Sequence, residues 1–166
     1  MKNILRLINA LVIIAVTLSC SDFTGDIVKD NLAAVPVTYD GATTVGFNPY
    51  YTVSFALDTF SIRLRIPASS KLKIKEVTNI VTGTTAINVA SLSGTTGQYL
   101  TSPAQVGGTY YKLSTSVTEF NTKVTGGTKI ANPAAGAYAE RAFMIKLTMD
   151  DNSLIVPVQC RIRVFR

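Results

Sequence analysis

Between Phe143 and Met149 every second residue is apolar: Phe143, Ile145, Leu147 and Met149 form one row. A two-residue period sends alternate side chains to opposite faces, so this segment is a half-buried β-strand and cannot serve as an amphipathic helix. Asp150-Asp151-Asn152-Ser153 follows with turn chemistry, and a second alternating row, Val156, Val158, Cys160, Ile162 and Val164, returns from it. The pair reads as a hairpin with one face toward a core. Pro157 falls on the outward side of the returning strand, where its missing amide hydrogen predicts an edge position or a bulge.

A second hairpin is predicted upstream. Phe60, Ile62, Leu64 and Ile66 alternate with Ser61, Arg63 and Arg65; Pro67 to Ser70 supplies a turn; Leu72 and Ile74 then alternate with Lys71, Lys73 and Lys75. Its outward face would carry all five cations. Further strands are expected at Val35 to Tyr39, Tyr51 to Leu57, Ala86 to Leu92 and Tyr110 to Thr115, with Gly94 to Gly108 as a loop. Ser116-Val117-Thr118-Glu119 has the form of a capping box, and Val117, Phe120 and Val124 follow at helical spacing, which predicts a short helix ending before Gly126. A strand through the same residues is the alternative, since Thr and Val are good β formers. The sum is an all-β fold, an immunoglobulin-like β-sandwich of about seven or eight strands with one short helix, over residues 35–166. It lacks the Trp and the disulfide that mark antibody-type domains.

The N-terminus has another character. Met1 to Arg6 is a short basic head, and Leu7 to Leu18 is apolar apart from Asn9 and Thr17, the outline of a secretory signal peptide. A run of roughly a dozen residues falls short of the ~20 that span a bilayer as a helix. Thr17-Leu18-Ser19-Cys20 at its end resembles the lipobox of bacterial lipoproteins; Ser19 and Cys20 match that pattern, whereas Thr17 stands where the family usually has an aliphatic residue. The resemblance implies cleavage before Cys20, lipidation of Cys20 and an extracytoplasmic domain anchored to the bacterial envelope, at the outer membrane or cell surface. Residues 1–19 are then a signal peptide and 20–34 a lipid-anchored linker. Asp22, Asp26 and Asp30 in that linker lack the spacing of an EF-hand calcium loop.

Removing residues 1–19 leaves 166 − 19 = 147 residues, the size of one domain. Lys2 and Arg6 leave with them, so the formal charge falls from 16 − 10 = +6 to 14 − 10 = +4. Such mild basicity does not predict a nucleic-acid partner. Only two cysteines exist, and an acylated Cys20 has no thiol to pair with Cys160, which reads as a small buried hydrophobe.

Catalysis finds little support. The chain has no histidine, so the usual zinc sites and Ser-His or Cys-His nucleophiles cannot be assembled, and no cofactor or metal is expected. Asp40, Asp58, Glu76, Glu119 and Glu140 remain as carboxylates for a polymer hydrolase, with nothing in their spacing to pair them. Two surfaces stand out instead. One is cationic, with Arg63, Arg65, Lys71, Lys73 and Lys75, joined by Arg161 and Arg163 if the strands share a face. On strand faces such residues also serve simply as the solvated side. The other is aromatic: Tyr50, Tyr51, Tyr99, Tyr110, Tyr111 and Tyr138. A Tyr-Tyr pair in a strand sends one ring to each face, so one of each pair belongs to the core. These features predict a non-enzymatic binding or accessory module that meets a membrane through its lipid and a glycan or an envelope protein through its surface. A subunit of a surface polymer is the alternative.

Overall fold

A computed structural model describes residues 35–46, 48–94, 97–124 and 128–166. The expected lipidation site Cys20, the expected signal peptide at residues 1–19 and the aspartates of the expected linker lie outside the described residues.

Strands β1 (Thr38–Tyr39), β2 (Tyr50–Ser54), β3 (Thr59–Arg65), β4 (Ile74–Gly83), β5 (Ala104–Gly108), β6 (Tyr110–Ser116), β7 (Tyr138–Met149), β8 (Leu154–Ile155) and β9 (Cys160–Phe165) form two sheets. The smaller has the order β1-β3-β6; the larger runs β2-β9-β7-β4-β5, with β8 paired to β7. Successive strands change sheets at β1 to β2, β2 to β3, β3 to β4, β5 to β6 and β6 to β7, so the core is enclosed by connections that cross between layers. The first strand is divided: β1 pairs antiparallel with β3 in one sheet and β2 pairs parallel with β9 in the other. This is the predicted immunoglobulin-like sandwich. Nine strands replace the expected seven or eight because the first is split and a two-residue β8 is inserted into the last hairpin.

The inward rows meet as the alternation requires. Ile62, Leu64 and Ile66 of the smaller sheet are buried with Phe143, Ile145, Leu147, Cys160, Ile162 and Val164 of the larger. Tyr51 joins the layers: its hydroxyl donates to the Asp40 carbonyl at 2.9 Å and accepts from the Arg63 amide at 3.1 Å. Asn152 closes the β7–β8 turn at φ 66, a left-handed conformation that Asn tolerates, while Asp151 accepts from the Ser153 amide.

Four expectations are corrected. The upstream hairpin does not exist, although the turn does: the Ser70 amide donates to Pro67 O at 2.9 Å. Beyond it the chain crosses to the other sheet, where β4 pairs with β7, while β3 pairs with β6 in the register Arg63↔Lys112. Alternation marks an inward face and says nothing about which strand lies alongside. Ala86 to Leu92 is not a strand; Asn88 accepts from the Ala90 amide and caps a 3-10 turn at Val89–Ser93. The expected loop contains β5, whose Ala, Gln and Gly residues carry little strand propensity. Finally, the Cys160 row begins only at Cys160: Val156 and Val158 are exposed and, with Pro157, lie in the connection between β8 and β9.

Strand β4 extends to Gly83, well beyond the predicted pairing segment. Its register shifts twice, between Ile74 and Glu76 and between Val77 and Asn79, and each shift breaks the period of two. Its second half is also covered on the outer side, where Val81 and Met144 pack with Leu92 and Ile87. Gln159 holds that cover, accepting from the Ile87 amide at 3.1 Å and donating to the Thr85 carbonyl at 3.0 Å.

The helix forms where the capping box places it. Helix α1 (Val117–Lys123) starts at Ser116, whose hydroxyl accepts from the Glu119 amide at 2.9 Å, and buries Val117 and Phe120. Glu119 does not complete the reciprocal box; its carboxylate accepts from Thr115 and pairs with Lys123 at 2.8 Å.

Candidate binding surface

On β9 the inward Ile162 and Val164 force Arg161, Arg163 and Phe165 to the outer face of the larger sheet. Register sets Glu140 of β7 opposite Arg163 and Tyr138 opposite Phe165, while Tyr50 of β2 lies opposite Arg161. Six side chains from three adjacent strands therefore form one patch.

Glu140 is its hub. One carboxylate oxygen accepts from Arg161 Nη1 and the other from Arg163 Nε, both at 2.8 Å. The Arg163 guanidinium lies over the Tyr50 ring at 3.9 Å from its centroid and 5.1 Å from that of Tyr138. Its bond to Glu140 holds Arg163 above the usual arginine range. Tyr138 and Phe165 have centroids 5.4 Å apart, and Tyr138 retains 48% of its surface. Two guanidinium charges shared by one carboxylate leave about one net positive charge on a rigid aromatic surface. Such a surface can stack on apolar groups and donate hydrogen bonds to acceptors.

The other sequence candidates are dispersed. Tyr51 and Tyr99 are buried; Tyr99 shares a hydrogen bond with Thr115, and burial pushes its phenol up to about 12. Tyr110 is exposed beneath Arg65, and Tyr111 packs against the core, so each Tyr-Tyr pair divides between faces as predicted. The cationic face is not one surface: Arg63 and Arg65 lie on β3, Lys75 on β4 in the other sheet, and Lys71 and Lys73 in the connection. Arg65 pairs with Asp40 at 2.6 Å, and Lys75 donates to Asn152 at 2.9 Å.

Each carboxylate candidate has a structural partner. Asp58 accepts from the Thr118 amide and hydroxyl, which lowers its pKa and ties the β2–β3 turn to α1. Glu76 accepts from Gln105 at 2.6 Å. Among the described residues no group of three metal-ligating side chains occurs, and no helix is long and apolar enough to cross a membrane. Sequence reasoning named Tyr50, Tyr138, Arg161, Arg163 and Glu140 separately and missed both Phe165 and the hub role of Glu140. The alternation after Cys160 was the available signal for Phe165.

Cys160 is free and fully buried, and burial pushes its thiol up to about 12. The thiolate is the reactive species, so Cys160 is expected to resist a maleimide reagent at pH 8 in the folded protein and to react in denaturant, as read by mass spectrometry.

Comparison with family models, curated proteins and solved structures finds no match to the chain.

Proposed function

We propose that this chain is a binding or accessory module of a bacterial envelope, tethered by acylation of Cys20, that engages an envelope protein through the outer face of β2, β9 and β7. The observation that carries the reading is Arg163 fixed between Tyr50 and Tyr138 by Glu140. Tyr and Arg are the side chains that most often dominate protein interfaces, and here both are held in place before any partner arrives. The tether draws support from the Ser19-Cys20 junction: two or three acyl chains anchor far more firmly than one.

The test joins both halves. Protein purified from membranes is examined by mass spectrometry for an acylated N-terminal Cys20, then used in crosslinking to envelope fractions and in a glycan-array screen, beside a Tyr50→Ala/Tyr138→Ala variant. The expected result is one crosslinked envelope protein whose capture falls at least about tenfold in the variant. A free Cys20 thiol would remove the tether, capture unchanged by the variant would remove the surface, and glycan binding lost in the variant would replace the protein partner with a sugar.

A further inference from the structure

Strand β6 ends the smaller sheet, and β3 is its only ladder partner among the described residues. The Val117 amide donates to Asp58 O at 2.8 Å and the Ile66 amide to Thr109 O at 2.9 Å. With the register between them, these bonds assign the backbone groups of Tyr111, Leu113 and Thr115 to β3. The amides and carbonyls of Tyr110, Lys112 and Ser114 therefore point away from the sheet. The strand contains no proline and its pairing with β3 has no bulge, and it has only one charged side chain, so the usual protections of an edge are nearly absent. A depression of about 570 Å³ lies over the β3–β6 ladder next to this edge, lined in part by Ser61, Lys112, Ser114 and Glu119.

We infer that the free edge of β6 receives an extended segment of a partner protein whose outward side chains are acidic. Charge selects that occupant. Lys112 is exposed and has no ion-pair partner among the described residues, and Arg63 is its cross-strand neighbour. The acids nearby are engaged, Asp40 by Arg65 and Glu119 by Lys123. An added strand would place its outward residues against Lys112, where Asp or Glu forms a favourable cross-strand pair and Lys or Arg an unfavourable one. A second copy fits less well, because pairing β6 with itself about Leu113 brings two Lys112 side chains to a diagonal separation of about 7–8 Å on an already cationic face. Backbone bonds would supply affinity and Lys112 the choice of partner. This surface lies on the opposite sheet from the Tyr50–Tyr138 patch and does not depend on it.

The experiment uses the intact protein with two blocked nine-residue peptides, one alternating Glu with Val and one alternating Lys with Val. Amide hydrogen exchange is followed by NMR. With the Glu peptide, exchange at Tyr110, Lys112 and Ser114 is expected to slow about tenfold while Tyr111 and Leu113 stay unchanged. Lys112→Glu, a surface change that leaves the fold intact, is expected to weaken the Glu peptide about fivefold and to make the Lys peptide the better ligand. Equal protection by both peptides, protection by neither, or protection that rises with protein concentration alone would overturn the inference, the last by making a second copy the occupant.

Discussion

Phe143→Ala is expected to destabilise the domain by about 3–5 kcal/mol, read as a lower denaturation midpoint with an unchanged slope. Phe143 is fully buried and is the ring where separate parts of the chain meet. It packs edge-on against Phe60 of β3 at 6.2 Å and Tyr99 of the β4–β5 connection at 5.7 Å, and obliquely against Phe120 of α1 at 5.6 Å. Truncation removes the central ring of this junction and leaves a cavity that the three segments packed against it would have to move together to fill. The ring contacts add about 0.5–1.5 kcal/mol per pair beyond burial, which places the effect toward the upper end of the range. Phe143→Leu keeps much of the volume and is expected to cost less than half as much. A loss below about 1 kcal/mol for the alanine variant would mean that the rings are not the joint between α1 and the sandwich.

The sequence was most legible where one face of a strand is buried and the other is wet. β3, β9 and the second half of β7 have that form, and so their inward rows were readable residue by residue. The start of α1 was equally plain, because the Ser116 hydroxyl satisfies a local backbone amide that no distant contact has to supply. Where both faces are covered the signal faded: β4 is buried continuously from Asn79 to Thr82, and two register shifts displace its pattern. β5 is held by pairing with β4, and its composition carries little signal of its own. The proposed binding patch was half legible. Its residues could be named from outward positions on strands, but their meeting depends on β2 lying parallel to β9, a pairing of segments about 110 residues apart that no local pattern encodes. The supposed cationic face failed for the same reason, since the turn after Ile66 looks alike whether the chain folds back or crosses to the other sheet.

Glu140→Ala is expected to have the second-largest effect, because it acts on stability and on the proposed binding surface together. The Glu140 side chain is 11% exposed, and Arg161 and Arg163 are 24% and 29% exposed, so the carboxylate is the most buried member of the triad. Its removal leaves two guanidinium groups adjacent without their counter-charge. A fully buried pair broken in this way costs about 3–5 kcal/mol, and partial exposure of the arginines lowers the expectation to about 2 kcal/mol. Glu140→Gln keeps the shape and one acceptor oxygen and should cost about 1 kcal/mol. The functional loss should exceed the stability loss in its consequences: without Glu140 to fix Nε, the Arg163 guanidinium has no reason to stay centred over Tyr50, and binding through the patch should fall even where the protein is fully folded. Arg163→Lys separates charge from geometry. Lysine keeps the positive charge but has neither the planar face that stacks on Tyr50 nor the Nε donor that meets Glu140. If the surface recognises its partner through the ordered ring–guanidinium–ring arrangement, Arg163→Lys should lose nearly as much binding as Glu140→Ala at a smaller cost in stability. If Arg163→Lys binds as well as the unaltered protein, charge alone governs recognition, and the stacking that Glu140 maintains serves only the fold.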